Sequence, residues 1–274
     1  MGDGSLRYKT LSDFSKILGL FEEQDVEERG VSDIARSLSM LPSKVSRMLK
    51  TLEMDGWVER NGRTGKYRVG VRFLRVGLLY VLNHPLRRLI LPHVEQMARD
   101  LGLLSGWGIF KNDKIIVVDR IRMKKGPLIH LLGSDVPLHS SSYGKVFLAY
   151  MPPDERDAIL QSLSLPRFTG KTIGSADALK AELAKVRVQG FSIDDEETRD
   201  GVTGLGAPVF GEQGELLAVI TVSGDTVEFS SDKASEIGYL VEKSFFISRQ
   251  LGYRMAGQEV REWQQRNRRE NEAF

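Results

Sequence analysis

Apolar side chains recur along the chain with two periods, and the places where one gives way to the other divide it into elements. Leu11, Phe14, Ile17, Leu18 and Phe21 fall at helical spacing, which predicts an amphipathic helix over residues 10–23. After the acidic connection "EEQDVEERG", Val31, Ile34, Ala35 and Leu38 mark a shorter second helix, with Ser32 placed to cap it. The tight link "SML" leads into a third helix from about Pro42, tolerated in a first turn, to Met54. On it Val45, Met48, Leu49 and Leu52 line one face, while Ser43, Lys44, Arg47, Lys50 and Thr51 line the other. The period then changes. In "WVERNGRTGKYRVG" the strand formers Trp57, Val58, Tyr67 and Val69 flank a Gly-rich basic tip, Asn61 to Lys66, and predict a β-hairpin. Three short helices followed by a hairpin form a winged helix-turn-helix layout.

The next stretch, "VGVRFLRVGLLYVLNHPLRR", predicts a linker helix over residues 71–84 that is too apolar to stand exposed. One of its faces is expected to pack on the head, leaving another for a second chain, and Pro85 marks the break that follows. Residues 86–101 predict an amphipathic helix despite Pro92, and "LSGWGIF" and "KIIVVDRI" flank the turn "KND" as a second hairpin. "PLIHLL" reads as a further strand. Helices are expected at about Ser142 to Met151, Pro153 to Ser162 and Ser175 to Gln189, with Phe191 to Asp194 extended. "GLGAPVF" and "ELLAVITVSG" are strands joined by "GEQG", and Ser231 to Leu251 is a long closing helix. Strands at both ends with helices between them predict an α+β domain on an antiparallel sheet, not a Rossmann repeat. The expected boundaries are a head over 1–70, a linker over 71–84, a larger domain over 85–257 and a polar tail over 258–274.

Composition narrows the chemistry. Zero cysteines exclude disulfides, thiolate catalysis and sulfur-ligated zinc, and fit a reducing cytoplasm. The four histidines are scattered and form no HExxH pattern, so no metal or other cofactor is expected. No stretch approaches the apolar length of a membrane span, and "MGDGSLRYKT" lacks a signal-peptide core. The formal net charge of +2 says little, but its distribution says more. Between Ser39 and Arg75, Lys44, Arg47, Lys50, Arg60, Arg63, Lys66, Arg68, Arg72 and Arg75 face only Glu53, Asp55 and Glu59. A local positive stretch on a near-neutral chain is the footprint of a nucleic-acid-binding module. In the winged layout the third helix enters the major groove. Arg47 is placed to grip guanine O6 and N7, Ser43, Lys44, Ser46 and Lys50 to meet bases or phosphates, and Arg63 and Lys66 to seat the wing on the backbone.

The motif "LHSSSYGKVFLAY" supports two readings. Ser142 and Lys145 stand in the S-x-x-K spacing of a serine acyl-transfer enzyme. Such enzymes also need S-D-N and K-T-G elements; "GKTIG" breaks that pattern, and no S-D-N occurs. A relay of His139 and Asp194 with a serine lacks any G-x-S-x-G elbow. The binding reading uses the residues better. A Ser-rich loop entering a helix presents unpaired N–H groups at the positive end of the helix dipole, where a carboxylate settles without reacting.

Three segments in order carry a resemblance: "IARSLSMLPSKVSRMLKTLEMDGWV", "PLHSSSYGKVFLAY", and "QGFSIDDEETRDGVTGLGAPVF" with "LLAVITVSG". From about Tyr8 to Met255 the sequence resembles the IclR family of bacterial transcriptional regulators. The resemblance implies a winged head, a linker helix and a GAF-like effector domain, assembled as a homodimer or homotetramer on operator DNA. It also implies control of catabolic genes by a small organic acid, without enzymatic activity. The effector-contacting positions it implies are Val136, Ser142, Tyr143, Asp194, Val202, Gly204, Thr221 and Ser223. Thr221 and Ser223 are two apart and so share one sheet face. Tyr143 stands where the family commonly has a small residue, and Gly204 where it commonly has cysteine. The expected ligand is therefore a hydroxylated or aromatic carboxylate that Tyr143 stacks on or hydrogen-bonds. Ser39 replaces the glycine common in the helix-turn-helix bend, at modest strain.

Overall fold

The computed structural model describes residues 8–22, 27–123 and 136–254, which fall into two compact units, Met1–His84 and Pro85–Phe274. The expected strand "PLIHLL" and the polar tail lie outside the described residues.

In the first unit, α1 (Lys9–Gly19), α2 (Val31–Ser37) and α3 (Pro42–Met54) bury Ile17, Ile34, Val45, Leu49 and Leu52 against one another. The first helix ends at Gly19 rather than continuing to residue 23. Ser32 does not cap α2. The chain enters in extended conformation at Gly30, so Ser32 already lies in the first turn, and the Asp33 carboxylate accepts from the Gly30 N–H at 3.3 Å. Ser39 bends the chain between α2 and α3 at φ 52°, in the left-handed region. Strands β1 (Val58–Arg60) and β2 (Tyr67–Val69) pair antiparallel, and Arg29 exchanges two backbone hydrogen bonds with Tyr67 as a short third rung.

The linker helix α4 (Val71–Asn83) corrects an expectation. It buries no residue. Its start engages the head: Arg72 donates to the Asp55 carbonyl at 2.8 Å and lies over Trp57, and Phe73 meets the same ring edge-on. Val71, Leu74, Val76, Leu78, Leu79, Tyr80 and Leu82 are 47–61% exposed, so the apolar face that the sequence promised has no partner among the described residues of this unit.

The second unit opens with α5 (Arg87–Leu101), which carries Pro92 internally, and then β3 (Leu104–Lys111) and β4 (Lys114–Ile121). Asn112 and Asp113, with φ of 53° and 60°, supply the consecutive left-handed residues that a two-residue hairpin needs. Helices α6 (Ser142–Tyr150), α7 (Pro153–Ser162) and α8 (Ala176–Gln189, capped by Ser175) precede β5 (Ser192–Asp195), β6 (Val202–Phe210), β7 (Leu216–Asp225) and α9 (Ala234–Gln250). The strands form one antiparallel sheet in the order β4-β3-β7-β6-β5. Helix α6 crosses one face, with α8 packed on it, and α5 and α9 cover the other. Residues 106 and 107 show the alternation: Gly106 faces α6, while Trp107 is fully buried and donates to Asp119, which Arg87 of α5 grips with its guanidinium fork. The fold is a helix-turn-helix unit followed by an α/β unit on an antiparallel sheet, consistent with a GAF-like description. Among the described residues no helix is long and apolar enough to cross a membrane.

Candidate functional site

Strand register decides what α6 rests on. Reading across the sheet, Arg120, Gly106, Thr221, Gly206 and Ser192 stand opposite one another, and Leu104, Ser223, Gly204 and Asp194 form the next row of the same face. The glycines make a bare floor. A methyl group added at Gly206 would sit 2.8 Å from the Ser142 carbonyl, and one at Gly108 would sit 3.1 Å from the Tyr143 ring. The start of α6 is thereby drawn down onto the strands.

A pocket opens at that contact, lined by Arg120, Ser141, Ser142, Tyr143, Asp194, Val202, Gly204, Thr221 and Ser223. Seven of the expected positions meet in it. Val136 does not: its isopropyl group packs in the apolar cluster under α6 with Ile115, Val117 and Phe147, where burial favours it. Arg120 and Ser141 were not anticipated. The signal for Arg120 was a charged pair, Asp119 and Arg120, closing the apolar run of "KIIVVDRI"; for the floor it was the alternating glycines of "LSGWGIF".

The three serines have separate tasks. Ser140 accepts from the Thr198 hydroxyl, and Ser141 caps α6 by accepting from the Gly144 N–H at 3.0 Å. Ser142 turns its hydroxyl toward Gly204, without a hydrogen-bond partner among the described residues. The backbone N–H groups of Ser142 and Tyr143 likewise have no acceptor among the described residues. They are the positive end of α6, and both residues line the pocket.

Charge is unevenly placed around this space. The Arg120 Nη1 is sealed from solvent with no partner among the described residues, and burial draws its pKa down. The Tyr143 hydroxyl is also sealed, with no hydrogen-bond partner of good geometry among the described residues; burial pushes the phenol up, so it keeps its proton, and Thr221 gives it only a loose polar contact. Asp194 spends one oxygen on the N–H groups of Glu197 and Thr198, at 2.9 and 3.1 Å, while burial holds its carboxyl above the usual range. The free volume left among these groups is about 20 Å³, room for about one water.

The acyl-transfer arrangement is not assembled. Lys145 is fully buried and bonds the Glu197 carboxylate and the Ile193 carbonyl, with Glu182 at 3.6 Å, instead of the Ser142 hydroxyl. His139 faces away, its Nε2 3.0 Å from the Pro166 carbonyl and its ring stacked on Phe168.

In the first unit, the outer face of α3 presents Ser43, Arg47 and Lys50 to solvent, with Ser46 half-buried beside them. Arg63 and Lys66 are exposed on the wing, whose tip is tied down by Glu28 accepting from Asn61 and from the Thr64 hydroxyl. Lys44 departs from the expected pattern. It is half-buried and ion-paired with Asp13 of α1, because one turn into α3 its ammonium reaches the neighbouring carboxylate.

Comparison with known proteins agrees with both units. Residues 78–248 match the family model described as bacterial transcriptional regulator IclR C-terminal, and residues 15–62 match the IclR helix-turn-helix domain. The HTH-type transcriptional regulator KdgR of Dickeya chrysanthemi is 30% identical over 251 residues, 89% of this chain and 81% of its own. XynR of Escherichia coli, also an HTH-type transcriptional regulator, is 28% identical over 242 residues, 87% of this chain and 95% of its own. Among solved structures, the Thermotoga maritima IclR is 28% identical, with a TM-score of 0.67 over 89% of this chain and 99% of that one. An IclR homologue from Microbacterium hydrocarbonoxydans, complexed with 4-hydroxybenzoate, shares the fold at a TM-score of 0.73 and 24% identity, over 88% of this chain and 98% of that one. The chain therefore belongs to the IclR family of bacterial transcriptional regulators and carries that family's DNA-binding helix-turn-helix domain.

Proposed function

We propose that this DNA-binding regulator senses a small organic acid in the pocket beneath α6 and changes its operator affinity in response. The ligand carboxylate accepts from the N–H groups of Ser142 and Tyr143, with Ser142, Thr221 and Ser223 hydroxyls around it and Val202 and Gly204 shaping the wall. Asp194 accepts from a ligand hydroxyl through its remaining oxygen. The observation that carries this reading is the convergence on one space of seven ligand-class positions and two helix N–H groups that have no acceptor among the described residues.

On DNA, Arg47 reads a base edge from α3, Ser43, Ser46 and Lys50 support it, and Arg63 and Lys66 hold the wing to phosphate. Two heads on two half-sites suit a homodimer, and the bare apolar face of α4 is the surface we assign to the second chain. Coupling of about 1–3 kcal/mol between acid and operator would change affinity roughly 5- to 150-fold.

The test is a titration of the full chain against its own upstream intergenic DNA at two salt concentrations, with and without added acids. 4-Hydroxybenzoate, the acid held by the Microbacterium homologue, is a first probe. Steep salt dependence with a shift on adding an acid supports the reading. Salt-insensitive binding overturns the DNA assignment, and covalent labelling of Ser142 by an electrophilic acyl probe would overturn the non-enzymatic one.

A further inference from the structure

The cation at the edge of the pocket has no task in the reading above. Arg120 sits on β4 with Nη1 sealed from solvent and no anionic partner among the described residues. Arg120 is half-buried, and a cation partly withdrawn from water without an anion is held at a cost unless something supplies the charge. Tyr143 lies toward it over Gly106 and Gly108, only 4% exposed, its hydroxyl donating to nothing among the described residues. With about 20 Å³ free, no organic acid enters unless a side chain leaves, and the Tyr143 ring fills the space beside the cation.

Resting on the pocket reading above, we propose that Arg120 is the specificity-determining residue and that the effector is a dianion. One carboxylate sits on the N–H groups of Ser142 and Tyr143; the second displaces the Tyr143 phenol and pairs with the Arg120 guanidinium. Register fixes the direction. Asp194 stands on β5 at the opposite side of the sheet, so a second anionic group there would meet a carboxyl group, whereas toward β4 it meets a cation. From Gly206, under Ser142, to Arg120 is three strand spacings, about 14 Å between backbones, which the arginine side chain and a short diacid bridge together.

The experiment is calorimetric titration of the full chain with succinate, glutarate, adipate and terephthalate, each against its own monoamide. At least one diacid is expected to bind ten-fold or more tightly than its monoamide. Arg120→Gln is expected to erase that preference, the diacid then binding no more tightly than its monoamide. Because Arg120 has no counter-ion among the described residues, the melting temperature of ligand-free Arg120→Gln should equal or exceed that of the wild type. Diacids and monoamides binding alike, no diacid binding, or a ligand-free variant several degrees less stable would each overturn the proposal. Gly204→Val separates this from the pocket reading. If that variant blocks acids while Arg120→Gln keeps the diacid preference, only the Arg120 assignment falls. If acids bind Gly204→Val as they bind the wild type, the pocket itself was misplaced.

Discussion

A methyl group placed on Gly106 would lie 2.9 Å from the Tyr143 phenolic oxygen, so the strand is bare where the α6 tyrosine descends onto it. The same methyl would meet the Asp119 carbonyl at 3.0 Å, which cannot retreat without bending β4. Gly106→Ala should therefore destabilise the effector unit by about 1–3 kcal/mol, the usual cost of overfilling a packed site. Tyr143→Phe removes the closer clash and an unpartnered hydroxyl together, so part of that loss should return in the double variant. Denaturant titration of the four proteins measures the coupling. Strict additivity would mean that the ring is free to move aside, and that nothing in the floor is reserved for it.

The buried cluster behind the pocket carries a pH signature. Burial raises the Glu197 carboxyl to about 7, against the pull of Lys145. The folded chain thus holds this proton more firmly than the unfolded chain does. The associated stability is full below pH 4.5 and is lost as pH rises through about 7. Removing the cation makes that loss worse, because Glu197 and Asp194 then ionise without a counter-charge. Lys145→Met should cost about 3–5 kcal/mol at pH 8 and markedly less at pH 5. Thermal melts of both proteins across that range test the sign; a deficit independent of pH would show that Lys145 contributes by packing alone.

Helices such as α1, α3 and α5 were readable from periodicity because each buries one stripe, whereas α4 buries none and α6 is buried nearly all round. The third helix and α7 begin and end where the pattern puts them. Seven of the pocket's lining positions were legible through family likeness, and local chemistry supported that reading only at Ser142 and on the β7 hydroxyls. Arg120 escaped because its role comes from cross-strand register: nothing local to "VVDRI" says that residue 120 stands opposite Gly106. Lys44 misled for the same reason. Its spacing on α3 is that of a DNA-reading residue, and its neutralisation by Asp13 arises from a helix thirty-one residues away in sequence.

Ser39 holds φ 52° with a Cβ that opposes it. A non-glycine residue pays about 1–2 kcal/mol in this region, and glycine gives part of that back as chain entropy when unfolded. Ser39→Gly should raise the stability of the head by about 0.5–1 kcal/mol without changing operator preference. Denaturation of the full chain, followed by a probe within the head such as Trp57, measures it. A fall in stability would show that the serine side chain itself secures the bend.

Arg47 and Lys44 sit three apart on α3, yet the structure gives them different charge environments. Arg47 is exposed, while Lys44 spends its charge on Asp13, whose carboxyl that ion pair holds below the usual range. Counter-ion release scales with the cations that reach phosphate, and base discrimination with those that reach a base edge. Arg47→Ala is expected to cost about 1–3 kcal/mol of operator binding and to relax preference at one base pair. Arg63→Ala and Lys66→Ala should weaken all sequences alike, each flattening the log–log salt slope by about 0.9. Lys44→Ala should leave the slope nearly unchanged and lower the melting temperature of the head, since it strands Asp13 between α1 and α3. Fluorescence anisotropy on operator and scrambled duplexes at four salt concentrations separates these outcomes. A full phosphate-sized slope change from Lys44→Ala would mean that the lysine abandons Asp13 on meeting DNA, and that the ion pair is a resting contact of the free protein.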